Sequence, residues 1–266
     1  MRPRAPSTSG RHRASSSACP GSATEGWRPR WRTVPTMSDQ RLEQAQHDAQ
    51  REAAPFVVVA VGVNALLAAN SAWHNWRLYS HDNWWVWLVL ALPAAVLAVV
   101  FVLGLGRLGV SSEHRRKVAV TLLALLAAAN LTGIGLVLGS LVDGHNDLTG
   151  AQLLASAAVV LLVNVITFAL VFWELDSGGP VRRALAESRD TPDFQFPQDE
   201  NPTLAVTDWS PALNDYLYIA VTNSIAFSPT DAMPLTHRAK LFMGIESLIA
   251  AVTVLVVAAR AVNILG

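Results

Sequence analysis

The chain has 266 residues, 52% hydrophobic and 15% charged, and its 20 Lys and Arg balance 20 Asp and Glu to a formal net charge of zero. That balance leaves no electrostatic footprint for nucleic acid. The single cysteine, Cys19, excludes an internal disulfide and any Cys-based metal or redox pair.

Residues 1–36 are rich in Ser, Pro and Arg, with Glu25 the one acid. Such a segment cannot bury a core and is expected to be a disordered tail. Two origins are open. It could be a targeting peptide, which is Arg- and Ser-rich, although Pro3, Pro6, Pro20 and Pro29 oppose an amphipathic helix. The favoured reading is an over-extended start, with Met37 as the initiator and the tail not translated. From Ser38 a polar juxtamembrane helix is expected to end near Glu52, within a 37–54 segment.

A membrane span needs about 20 mostly apolar residues. Five runs meet that length: 55–75, 84–105, 118–142, 151–173 and 239–264, the first four without Asp, Glu, Lys or Arg. The expectation is an all-α membrane protein of about five transmembrane helices, with 55–173 forming a four-helix region. Asn64, Asn130 and Asn164 fall near the middle of three spans. An unpaired amide is costly in hydrocarbon, so each must face a neighbouring helix, a backbone carbonyl or water. They read first as interhelical glue and more sharply as a shared polar lining. Gly135 and Gly139 make a small-xxx-small pair that permits close helix approach. Asp143, His145 and Asp147 fit a polar turn better than a cation site.

Lys and Arg favour cytoplasmic loops. Arg107, Arg115, Arg116 and Lys117 place the 106–117 loop inside, and the acidic 143–150 loop belongs outside. The link 76–83, bounded by Trp73, Trp76, Trp84, Trp85 and Trp87, fits an outer interface. Counting spans puts the N-terminus and the 174–211 segment inside and the C-terminus outside. That segment opens with a helix stop, Asp176-Ser177-Gly178-Gly179-Pro180. Pro192, Pro197 and Pro202 then keep it extended, with Phe194, Phe196 and Trp209 as apolar handles. It is expected to lie along the membrane surface or plug a cavity mouth, or else to be a plain tether. Ser210-Pro211 is expected to cap and start a short helix.

The last segment, 212–266, is the most suggestive. A short, mostly apolar stretch, Tyr216 to Phe227, runs into the polar turn Ser228-Pro229-Thr230-Asp231, and a long apolar helix follows from about Arg238. A half-span, a turn and a full span is the pattern of a re-entrant loop. Glu246 lies inside the final helix, and an intramembrane carboxylate marks an ion or proton contact, an interfacial anchor or a partner for a buried amide. No phosphate-binding Gly-rich loop, nucleophile elbow or His-Glu-x-x-His is present, and the histidines show no ligand spacing. No enzyme activity, cofactor or metal site is expected.

The block from Tyr218 to Thr236, with Arg238 and Glu246, resembles the pore module of simple potassium channels: Asp231-x-x-Pro234-x-Thr236 keeps the spacing that follows their filter. The resemblance implies that Thr222 lies in the pore helix. It departs at the filter, where Ser228 and Thr230 occupy the glycine positions and Pro229 the aromatic one. Ser, Pro and Thr cannot copy a backbone that only Gly tolerates, so a potassium-selective filter is not expected. The whole chain is also similar to uncharacterised bacterial multi-span proteins. The matching stretches are Phe172-Trp173-Glu174-Leu175-Asp176, Pro192-Asp193-Phe194, Phe196-Pro197-Gln198, Ala226 to Asp231 and Ala259 to Asn263. That likeness implies a cell-membrane location and a helical fold, and no activity.

Together these readings give a channel-like multi-pass protein of the cell membrane, partnered by lipid and assembled as a homo-oligomer, that passes or senses an ion or small polar solute. Thr222, Asn223, Ser228, Thr230 and Asp231 would line its loop, and Glu246 would set the local charge. The alternative is a non-conducting scaffold or accessory subunit, in which the Ser228–Asp231 turn is a packing device.

Overall fold

The computed structural model describes residues 37–74, 85–102, 112–142, 149–186, 191–201, 203, 209–226, 228 and 231–265. The 1–36 tail, Trp76 and Trp84, the loop around Arg107, the Asp143–His145–Asp147 turn, Pro229 and Thr230 lie outside the described residues.

The fold is mostly helical. Four long helices come first: α1 (Met37–Trp73), α2 (Trp85–Val102), α3 (Ser112–Val142) and α4 (Gly150–Leu175). A 3-10 turn (Asp176–Gly178) and α5 (Pro180–Leu185) follow, then β1 (Phe194–Gln195), α6 (Pro197–Glu200), α7 (Leu213–Ala226), β2 (Met233–Pro234) and α8 (His237–Leu265). Among the described residues, two helical stretches are long and apolar enough to cross a bilayer, Gln40–Trp73 and Leu154–Leu185, and the apolar stretch Val120–Leu136 is shorter. The runs predicted as spans at 84–105, 118–142 and 239–264 do form α2, α3 and α8. Over their described residues they do not meet the same standard, so two spans rather than five are supported.

Local chemistry sets the helix ends. Thr149 accepts the Gln152 N–H at 3.4 Å while the Gln152 side chain accepts the Thr149 N–H at 2.9 Å, a reciprocal cap for α4. At its other end α4 stops where the sequence predicts. Gly178 (φ 81°) and Gly179 (φ 101°) adopt backbone conformations that L side chains rarely take, and Pro180 opens α5. A Cβ on Gly179 would also lie 3.1 Å from the Glu174 carboxylate.

Three expectations are corrected. The polar helix does not end near Glu52; α1 continues through Pro55 as one element, because burial of Ala53, Val57 and Ala60 on its packed face offsets the N–H bond lost and the ring clash at the proline. Gly135 is exposed, with nothing within 4 Å of where its Cβ would be, whereas the buried Gly133 sits 3.2 Å (Cβ position) from Leu90 Cδ1. The close helix approach is therefore at Gly133. Ser210-Pro211 does not start the short helix: α7 begins at Leu213, with the Ala212 N–H held by the Asp215 carboxylate at 2.7 Å and the Leu213 N–H held by Glu52 of α1.

Over its described part the 174–211 segment is not a plain tether. Phe194 is fully buried and Phe196 nearly so. Their rings continue a contact chain from Phe168 and Phe172 of α4 to Tyr216 of α7 and Trp209, with centroids 5.3–6.1 Å apart. β1 pairs antiparallel with β2, placing Phe194 opposite Pro234 and Gln195 opposite Met233. The segment is thus a strap sewn between the end of α4 and the start of α8.

Candidate functional site

Two buried carboxylates hold the strap. Asp176, at the foot of α4, is fully buried. One of its oxygens accepts the backbone N–H groups of Asp193 (2.7 Å) and Phe194 (3.3 Å) and the Ser177 hydroxyl (3.4 Å), and the other accepts the Tyr216 hydroxyl at 2.5 Å. Arg183 of α5 turns back and donates from one nitrogen to the carbonyls of Trp173 and Asp176, both at 2.7 Å. Those carbonyls lie at the C-terminal end of α4, where the Asp176 carbonyl also accepts the Gly179 N–H at 3.0 Å, and a cation suits the negative end of a helix dipole. The same guanidinium lies 5.2 Å from the centroid of the Tyr216 ring.

Asp193 is the second. Its buried carboxylate takes a two-pronged grip from Arg238, Nε to Oδ1 at 2.7 Å and Nη2 to Oδ2 at 2.6 Å, plus the Thr236 hydroxyl at 2.5 Å. Asp193 raises the Arg238 pKa still further by this bond. Thr236 in turn accepts the Ala239 N–H at 3.3 Å, so it caps α8 while it binds the strap. The Leu235 N–H donates to the Asp193 carbonyl at 2.8 Å. Sequence reading named Asp176 as part of a helix stop and missed Asp193; nothing in a Pro-Asp-Phe triplet announces a partner 45 residues away.

Deeper in the fold, Glu246 is fully buried. Asn223 Nδ2 donates to its Oε2 at 2.7 Å and to the Met243 carbonyl at 2.9 Å, and the Ser224 hydroxyl donates to Oε1 at 3.1 Å. The Ser247 hydroxyl closes the group by donating to Asn223 Oδ1 at 3.0 Å. This arrangement corrects the interfacial reading of Glu246. It also names a partner, Asn223, in place of the three mid-span asparagines.

These contacts fix the direction of α7 relative to α8. Tyr216, near the start of α7, binds Asp176, and Arg238, at the start of α8, binds the adjacent Asp193. Farther along, Asn223 and Ser224 meet Met243, Glu246 and Ser247. From Tyr216 to Asn223 is about 10 Å of helix, and from Arg238 to Glu246 about 12 Å. The two helices therefore run parallel, both starting from one face of the fold. The face is also that of Glu52 in α1 and of the end of α4.

The other predicted positions divide. Thr222 bonds back to its own helix, at the Tyr218 carbonyl (2.8 Å), while Ser228 and Asp231 are exposed on the returning segment. Asn130 and Asn164 meet across α3 and α4, Nδ2 to Oδ1 at 2.9 Å, and Asn64 bonds its own backbone at the Ala60 carbonyl. Among the described residues no group of three or more His, Cys, Asp and Glu comes together to hold a metal ion. Comparison with protein-family models, curated proteins and solved structures finds no match to this chain.

Proposed function

We propose that the chain is a multi-pass protein of the cell membrane with five spans, 55–75, 84–105, 118–142, 151–173 and 239–264, and one re-entrant half-helix. As a homo-oligomer in the bilayer, it passes or senses an ion or small polar solute along the segment that returns from α7 to α8. The observation that supports this reading is the parallel run of α7 and α8. A 14-residue helix is about 21 Å long, short of a hydrocarbon core of about 30 Å. A chain that enters with a half-helix and starts its next full helix from the same face has to double back within the membrane. Such non-helical backbone is tolerated at membrane depth only against protein or a water-filled cavity. Thr222, Asn223, Ser228 and Asp231 would line that path, with Thr230 between them in sequence, and Glu246 braces the half-helix.

The test is reconstitution of the full chain into liposomes. The expected result is flux of a small cation, anion or proton that Asp231→Asn alters. Absence of flux for all three classes would overturn the reading. A second reading, the non-conducting scaffold, is favoured by one specific observation: the hydrogen-bond donors around Glu246 come from this chain's own α7, so the carboxylate is already satisfied as a brace. On that reading Asp231→Asn changes folding or partner recovery and leaves permeability at the liposome background.

A further inference from the structure

A second polar site lies apart from the C-terminal module, where the first four helices meet. Asn64 of α1, Leu90 of α2, Leu126, Ala129, Asn130 and Gly133 of α3 and Val160 and Val163 of α4 line a small cavity. About 10 Å³ of it is open to the centre of a water molecule, which is about what a single buried water requires. Gly133 makes the space: a Cβ there would press on Leu90 Cδ1 at 3.2 Å and reach Val160 Cγ2 at 4.0 Å.

The chemistry beside the cavity is unbalanced. Asn130 spends an N–H on Asn164 Oδ1 and Asn64 spends one on the Ala60 carbonyl. Asn164 itself is fully buried, and its Nδ2 has no acceptor among the described residues. Turning the Asn164 amide over would not help, because it would take the acceptor away from Asn130. A buried amide left without a partner is destabilising, and more so where lipid rather than water surrounds the bundle. Asn64 and Asn130 line the cavity and Asn164 is bonded to Asn130 beside it, so carboxamides are at hand for the two to four polar contacts that a trapped water needs.

We propose that this cavity is a hydration site: one water molecule, held by the Asn64, Asn130 and Asn164 carboxamides, sits at the centre of the α1–α4 bundle of each protomer. It accepts from Asn164 Nδ2 and links Asn64 of α1 to the Asn130–Asn164 pair that already joins α3 and α4. The site is independent of the re-entrant reading of α7, since none of its residues belongs to α7 or α8.

Pulsed X-ray hydroxyl labelling of the full chain in detergent tests it, because radicals born from a bound water oxidise the side chains beside it before bulk radicals arrive. Leu126 and Leu170 are equally buried, at 1% exposure each, and only Leu126 lines the cavity. The expected result is several-fold faster oxidation of Leu126 than of Leu170. Gly133→Ser, which fills the space, should bring Leu126 down to the Leu170 rate while the protein remains monodisperse. Equal rates in the unaltered chain would overturn the proposal without recourse to any variant. So would a Leu126 rate unmoved in a folded Gly133→Ser protein.

Discussion

Asp176→Ala is the most informative single substitution in the strap. The carboxylate serves the Asp193 and Phe194 N–H groups and the Tyr216 hydroxyl, all in a site closed to solvent. Truncation leaves two backbone donors and one phenol without acceptors, and each buried unsatisfied donor costs about 1–3 kcal/mol. Allowing for partial relaxation, and with Arg183 still bonded to backbone carbonyls, the expected loss is about 3–6 kcal/mol. At roughly 2–4 °C per kcal/mol for a chain of this size, the midpoint falls by about 10–20 °C. Asp176→Asn keeps one acceptor for the two backbone groups, and the Tyr216 hydroxyl can rotate to accept from the new amide, so it should lose less than half as much. Thermal unfolding in detergent, followed by tryptophan fluorescence, ranks the three proteins. Amide hydrogen exchange at Asp193 and Phe194 supplies the local readout, with faster exchange in Asp176→Ala and near-native exchange in Asp176→Asn. An Asp176→Ala protein as stable as the original, with those amides equally protected, would refute the account of the strap.

Three further outcomes follow from the same accounting. Asp193→Ala should destabilise by about 2–4 kcal/mol and Arg238→Ala by less in a denaturant titration, although they form one ion pair, because the Asp193 side chain is buried while that of Arg238 is half exposed and regains water. Asn223→Leu should be more damaging than Ser224→Ala, since it removes the 2.7 Å donor from buried Glu246 and leaves Ser247 only the backbone carbonyl of residue 223 at 3.2 Å; adding Glu246→Leu to Asn223→Leu should recover part of the loss, which a double-mutant cycle measures. Asn130→Leu alone strands the Asn164 carbonyl oxygen, so the double Asn130→Leu, Asn164→Leu should lose less stability than the two single substitutions added together.

Topology has its own test. A single cysteine placed at exposed Glu200, in a Cys19→Ser background, reports the side of the strap by impermeant labelling of sealed cells. Labelling only after permeabilisation agrees with the positive-inside count. Labelling of intact cells overturns that count and puts the proposed re-entrant module in the orientation of a potassium-type pore.

Much of this fold is written locally. Runs of Ala, Leu and Val without charge form helices wherever they occur, since a helix satisfies its own backbone and needs no distant partner. The Gly178-Gly179-Pro180 stop works the same way, because it depends only on the backbone angles each residue permits. The half-length of α7 was legible for that reason, as was the suspicion attached to Glu246. What the sequence could not give was pairing. Asp176 with Tyr216, Asp193 with Arg238 and Glu246 with Asn223 join residues 23 to 45 apart through side chains whose spacing follows no repeat. A carboxylate in a string of letters is equally compatible with water, lipid headgroups or a buried amide. Only packing decides which, because only packing removes the water and leaves the charge to find its donors among neighbours. The same holds for Gly133 over Gly135: both sit on α3, and the rotation of that helix against α2 and α4 determined which one faced the core.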